Sequence, residues 1–249
     1  MSWLTIFSRV IFSSEPIVSI SGFLGPQPSG KEIHSLNRDQ VLEVSRDRLL
    51  QDILRSAVLT GPEIERILTA IRRWLLEVAA FDEDLRTVVP LEFCVSMAHQ
   101  AYLTEYAYFA GEGELTILKK IWDALLAKVN TNEGLHDTDR VTLAISASYI
   151  SLGDWMKEIP DTLNEGPIGT LFKSQILDSQ VEEDLLSSLE ALSSVTDATS
   201  VKVQKQYEEN PFPRWSVLSP NKTSTVGETL QSLFPKTKAP EKLFERCSI

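Results

Sequence analysis

The residues that could do chemistry in this sequence are three histidines, two cysteines and one carboxylate set among tyrosines. His34, His99 and His136 have no second His, Cys or carboxylate at a spacing that suggests a shared metal ion. His34 falls in a linker-like stretch and His136 in a loop. His99 falls mid-helix beside an apolar stripe, where a structural role is expected. Cys94 sits in an apolar helical run and reads as a small buried hydrophobe. Cys247 is far from it, so neither a disulfide framework nor a zinc site is expected. Glu105 lies within Tyr102, Tyr106, Tyr108 and Phe109. A carboxylate there could act as a general base with a raised pKa, but such a group more often caps, pairs or faces water. Gly111-Glu-Gly113-Glu is acidic and would repel phosphate, so it reads as a helix-ending turn. HExxH, GxSxG, Walker and CxxC patterns are absent from the sequence. No catalytic residue and no metal ligand is assigned.

One segment stands apart. Gln206 to Trp215 (QYEENPFPRW) concentrates three aromatics, two prolines and an arginine in ten residues. Pro211 and Pro213 forbid helix and force an extended path. Prolines lower the entropy lost on fixing that path, and aromatics supply area to bury. The segment suits a strap across a surface. It is either a rigid connector or a wall beside a small-molecule site.

The elements around it read as helices. Leu42, Leu49, Leu50, Ile53, Leu54, Ala57 and Val58 form an apolar stripe on one amphipathic helix, opposed by Arg46, Arg48, Asp52 and Arg55. Gly61-Pro62 starts a second, carrying Ile64, Ile67, Leu68, Ile71, Leu75 and Val78. The two are expected to pack antiparallel. An acidic connector runs from Phe81 to Arg86. Pro90 opens a third helix with Phe93, Cys94, Met97, Ala101 and Tyr102, and Tyr106 continues its stripe. A fourth runs from about Glu114 on Leu118, Ile121, Trp122, Leu125, Leu126 and Val129. Asp137-Thr-Asp139 caps a fifth, built on Val141, Ala144, Ile145, Ser148 and Leu152. Ile159-Pro160 is a break, and Gly166-Pro167 starts a short sixth. Gln180 to Val195 is a seventh, with Val181, Leu185, Leu189 and Leu192 in register. A capped helix then leads into the strap, and the tail beyond it holds one further helix, Gly227 to Phe234. No stretch alternates at period two for long enough to be a strand, and no two hairpins align as repeats of about 34 residues.

The expected fold is all-α: an irregular bundle of about seven helices, an extended Pro/aromatic segment and a loop-rich C-terminal tail. Residues 1–35 form an N-terminal segment of low expected order, 36–195 the bundle, and 196–249 the capped helix, strap and linker. Trp3 to Ser8 is too short for the apolar core of an export signal, and Arg9 and Glu15 interrupt any spanning helix. At 249 residues, 43% hydrophobic and 24% charged, the chain has material for a sizeable core. The net charge of −11 disfavours nucleic acid as a partner. The longest basic runs are the pairs Arg72-Arg73 and Lys119-Lys120. A soluble, cytoplasmic protein without a membrane partner is expected.

Tyr207-Glu-Glu-Asn-Pro-Phe-Pro-Arg-Trp215 resembles the YEENPYPRW segment of bacterial class I S-adenosylmethionine-dependent methyltransferases fused to tetratricopeptide repeats. Phe93-Cys94 and Tyr102-Leu-Thr-Glu-Tyr106 are similar to the FLCALA and FLNEY stretches upstream of it. The resemblance covers roughly Leu36 to the end. It implies a helical region and lid that precede a catalytic α/β domain. It also implies that Tyr207, Asn210, Pro211, Phe212, Pro213, Arg214 and Trp215 border the cofactor or substrate cleft. The glycine-rich GCGTG-type loop that approaches the cofactor in that family has no counterpart in this sequence. The expectation is therefore no cofactor in this chain by itself, and S-adenosylmethionine if it is joined to a catalytic domain. Recognisable repeats are missing too. Phe212 in place of the tyrosine removes one hydroxyl. The expected partners are a methyltransferase domain or another protein, and a stand-alone protein-protein interaction module is the alternative. Self-association through an exposed docking face is also expected.

Overall fold

Side-chain caps set where the helices begin. A computed structural model describes residues 37–59, 61–130, 135–156, 163–188, 197–209 and 225–233. Asn37 opens α1 (Arg38–Ser45) by accepting from the Asp39 N–H at 2.9 Å. Asp47 opens α2 (Arg48–Ser56) by accepting from Leu50 at 3.1 Å. Pro62 sits in the first turn of α3 (Pro62–Phe81), where its missing N–H costs nothing. Asp82 caps α4 (Glu83–Val88) through the Leu85 N–H at 2.9 Å. Pro90 precedes α5 (Leu91–Leu103). α6 (Glu112–Asn130), α7 (Asp137–Ser146) and α8 (Leu152–Trp155) follow. Next come α9 (Gly166–Phe172), a π-helical turn π1 (Lys173–Leu177) and α10 (Asp178–Ser188). Asp197 opens α11 (Ala198–Glu209), accepting from the Thr199 and Ser200 N–H groups at 3.1 and 2.9 Å. The Ser200 bonds hold its carboxyl below the usual range. The all-α fold is as expected, with no strand among the described residues.

The chain divides into two units, Met1–Ser216 and Val217–Ile249. In the second, α12 (Val226–Leu233) starts with a reciprocal cap. The Thr225 N–H donates to Glu228 Oε2 at 2.7 Å, and the Glu228 N–H donates to Thr225 Oγ1 at 3.2 Å. In the first, α7 packs on α3, α4, α5 and α6, and α5 also receives α2 and α9. The apolar stripes of α3 and α5 are buried throughout. Burying each of their large side chains contributes about 1.5–3 kcal/mol.

Several elements differ from expectation, each for a local reason. The single helix over Leu42 to Val58 is two helices, because Asp47 turns to extended backbone (ψ 108°) and caps anew. α2 takes α5, not α3, as its main neighbour. Ala57 and Gly61 are both extended, so α2 and α3 are not joined by a tight turn. Gln100, fully buried in α5, fastens the junction. With the amide oxygen and nitrogen assigned so that both are satisfied, it donates to the Leu54 and Ala57 carbonyls at 3.0 and 2.8 Å and accepts from the Leu59 N–H at 3.0 Å. The acidic connector after Phe81 is α4. Gly113 lies inside α6, so the Gly111–Glu114 turn begins a helix instead of ending one. α7 is capped at His136, whose N–H donates to Asp139 Oδ2 at 3.2 Å. Leu152 belongs to α8, beyond the turn that ends α7. Val181 and Leu185, in register on the expected seventh helix, are exposed. Leu189, Leu192 and Ile159-Pro160 lie outside the described residues.

α5 stops where its stripe was expected to continue to Tyr106. The Glu105 N–H donates to the Tyr102 carbonyl at 3.1 Å, and the Tyr106 N–H to the Ala101 carbonyl at 2.8 Å. This is a Schellman termination, which needs left-handed backbone just past the helix. Glycine is usual there, but here Glu105 (φ 52°) and Tyr106 (φ 55°) supply it. A left-handed non-glycine residue costs about 1–2 kcal/mol. Glu105→Gly should therefore stabilise the fold by about 0.5–1 kcal/mol, after the extra freedom glycine adds to the unfolded chain. A higher urea midpoint at unchanged m-value is the expected result.

Candidate functional site

Two groups of polar side chains assemble inside the bundle. The first centres on Arg72. Its position on α3 has stripe spacing, four residues after Leu68 and three before Leu75, so the helix carries its side chain inward. It is only 1% exposed. Nη1 donates to the Ser148 carbonyl at 3.2 Å, and Nη2 to the Tyr108 and Phe109 carbonyls at 3.0 and 2.7 Å. The guanidinium carbon lies 4.1 Å from the Tyr149 ring centroid and 5.5 Å from that of Tyr108. One cation thus ties the α5–α6 link to the turn after α7. Carbonyls at the end of α7 carry partial negative charge, which favours a cation there. Burial lowers the Arg72 pKa, opposed by Tyr149 and Glu114. Burial pushes Tyr108 up to about 12 and raises Tyr149 as well.

Glu114, itself buried, completes the cluster from the first turn of α6. Its carboxylate pairs with Arg73 and accepts from the Tyr149 hydroxyl at 3.1 Å. The pair Arg72-Arg73, one of the longest basic runs in the sequence, is split. Arg72 faces inward and Arg73 faces Glu114. The signal for this was available, since Arg72 falls on the spacing of the apolar stripe. Glu105, the sequence candidate for a base, is half-buried on the left-handed turn that closes α5.

The second group is a polar seam between α5 and the arm formed by α9, π1 and α10. Ser96, His99 and Tyr102 recur at helical spacing on α5. Ser96 Oγ accepts from Arg55 Nε at 2.8 Å. His99 Nε2 lies 3.3 Å from Thr170 Oγ1, and Nδ1 lies 3.5 Å from Ser174 Oγ. Both hydroxyls donate to backbone carbonyls, of Pro167 and Leu171. Tyr102 Oη lies 2.8 Å from Ser179 Oγ. Gln175, buried in π1, accepts from the Leu152 N–H at 2.9 Å. Burial first, then Arg55, lowers the His99 pKa to about 4. The His99, Tyr102 and Gln175 contacts fasten the arm to the core, while the Arg55–Ser96 bond ties α2 to α5. The second ring nitrogen of His99 meets the Thr170 hydroxyl and not a carboxylate, and the Ser174 proton is already given to a carbonyl, so the pair is not arranged as a nucleophile and base.

Cys94 is fully buried, and burial raises its thiol pKa, as a structural cysteine requires. His136 caps α7. Among the described residues, no three His, Cys, Asp or Glu side chains come together as a metal site, and no helix is long and apolar enough to cross a membrane. His34 and Cys247 lie outside the described residues. Of the strap, Tyr207 belongs to the last turn of α11. Asn210, Pro211, Phe212, Pro213, Arg214 and Trp215 lie outside the described residues.

Replacing Arg72 with methionine keeps bulk but leaves three carbonyls without their donor. The expected loss is about 3–5 kcal/mol, measured by urea denaturation. His99 gives a pH dependence of definite sign. Its folded pKa is near 4, below the unfolded value of about 6.5. Between those values the unfolded chain binds a proton that the fold excludes, so stability falls as pH drops from about 6.5 to 4. The loss is at most about 3 kcal/mol, and His99→Gln should remove it from the pH profile of stability. Comparison with known proteins finds no matching family model, no matching curated protein and no matching solved structure.

Proposed function

We propose that this chain is the helical, lid-bearing portion of an S-adenosylmethionine-dependent methyltransferase. In this account the cofactor site is completed by a separate α/β domain. The observation that carries the proposal is the Tyr207–Trp215 segment, whose order of aromatics, prolines and arginine matches the strap ahead of such a domain. Its setting is favourable. α11 runs up to the strap, and its residues 199–205 are all exposed, so two successive turns have every face open to another domain. The strap residues Tyr207, Asn210, Arg214 and Trp215 would border the cleft. Arg214 supplies a planar cation for an anionic group, and the aromatic rings supply stacking area. The chain's own role is to position and cover, not to transfer the methyl group.

A second reading, a stand-alone interaction module of the cytoplasm, is favoured by another observation. Leu177, Val181 and Leu185 form an exposed apolar ridge on the arm. Such a ridge fits a partner's groove without any chemistry.

Calorimetry separates the two. S-adenosylmethionine titrated into the purified chain should give no saturable heat. A class I methyltransferase domain of the resembled type should bind the chain with micromolar affinity, about 8 kcal/mol. Trp215→Ala should weaken that complex at least about tenfold, the cost of losing an interface aromatic. Micromolar cofactor binding by the chain alone, or no association with the domain, contradicts the proposal.

A further inference from the structure

The ridge on the arm has a charge pattern that specifies its occupant. Leu177 ends π1, and Val181 and Leu185 follow on α10 at four-residue intervals. They are 46%, 55% and 60% exposed. Four-residue spacing puts them on one face, over a length of about 12 Å. Asp178, Glu182 and Asp184 are exposed on the same helix. Residues 174–201 hold six acidic side chains and no lysine, arginine or histidine. The ridge is therefore an apolar line flanked by acidic side chains, with the exposed Lys173 one turn before Leu177 as its nearest cation.

We propose that the Leu177–Val181–Leu185 ridge docks as a helix into an apolar groove rimmed by lysine or arginine on a partner protein. The inference deepens the interaction reading above and does not need the methyltransferase one. Charge complementarity selects this occupant. A second copy would bring two acidic rims together, in chains that each carry a net charge of −11. An anionic lipid surface repels the same rim. A basic-rimmed groove gains from both features, with apolar anchors buried at the centre and opposite charges at the edge. Three anchors are fewer than a standard interface of about 800 Å² per partner supplies, so the contact is weak and salt-sensitive.

The test uses a helical peptide of roughly 18 residues, leucine on one face and lysine on the other, long enough to hold helix on a surface. Fluorescence anisotropy should show saturable binding to the whole chain. Leu177→Ser, Val181→Ser and Leu185→Ser together leave every charge in place and should weaken binding at least about tenfold, some 1.4 kcal/mol. Val181→Lys alone should do the same by repelling the peptide, which covers the case where the triple variant fails to fold. A matched leucine/glutamate peptide should not bind. Several outcomes overturn the proposal. One is retention of binding within about twofold in both variants, which would mean charge alone drives it. The others are equal binding of the glutamate peptide, binding of the chain to phosphatidylcholine/phosphatidylglycerol vesicles, and ridge-dependent self-association by light scattering. A chain that binds the lysine peptide through the ridge yet ignores a methyltransferase domain keeps this inference and removes the methyltransferase proposal.

Discussion

A single buried cation holds the bundle's turns in place. Arg72 carries a charge into the core, where an isolated ion would be too costly to keep. Three carbonyls and two tyrosine rings make it tolerable, and they come from segments far apart in the chain. The link from α5 to α6 must place Tyr108 and Phe109 against it. The turn after α7 must present Ser148 and Tyr149. Glu114, on the next helix, balances the charge and holds Arg73 and Tyr149. Two left-handed residues just before that link turn the chain at the end of α5. Their strain is tolerable because the Arg72 network over-determines the path that follows.

Outside that network the packing is ordinary helix burial, with α7 at the centre. The arm of α9, π1 and α10 is attached differently. Leu171, Phe172 and Ile176 are buried, but the seam beside them is made of hydroxyls and one histidine. Polar contacts of this kind contribute about 1 kcal/mol each. The arm is thus fixed in place and still leaves its acidic, apolar ridge uncovered, while the helix beyond it leads to the strap.

The sequence made the helices legible because periodicity marks which residues share a face. The stripes of α3 and α5 and the core of α6 follow from spacing alone. It did not show which faces would find a neighbour. Val181 and Leu185 have the same spacing as Ile64 and Leu68, yet only the latter pair is covered. The split between α1 and α2 was hidden because the stripe carries on in phase across Asp47. Arg72 was not assigned to the α3 stripe, although it falls on the stripe's spacing, because the stripe was read from apolar residues alone. The end of α5 was missed because left-handed backbone is signalled by glycine, and none is present. The strap is a reading from composition, which no helical period could supply, and its residues from Asn210 onward lie outside the described ones.

The proposed function rests on these differences in exposure. The core around Arg72 is closed and serves the fold, while Leu177, Val181 and Leu185 on the arm and residues 199–205 of α11 are exposed. The central claim is that this C-terminal side is the working surface, and that its partner is a methyltransferase domain. Hydrogen exchange of the chain with and without such a domain tests it most directly. The account predicts new protection confined to residues 174–188 and 197–215, with residues 62–156 unchanged. Protection falling on residues 62–156 instead, or none anywhere, would contradict it.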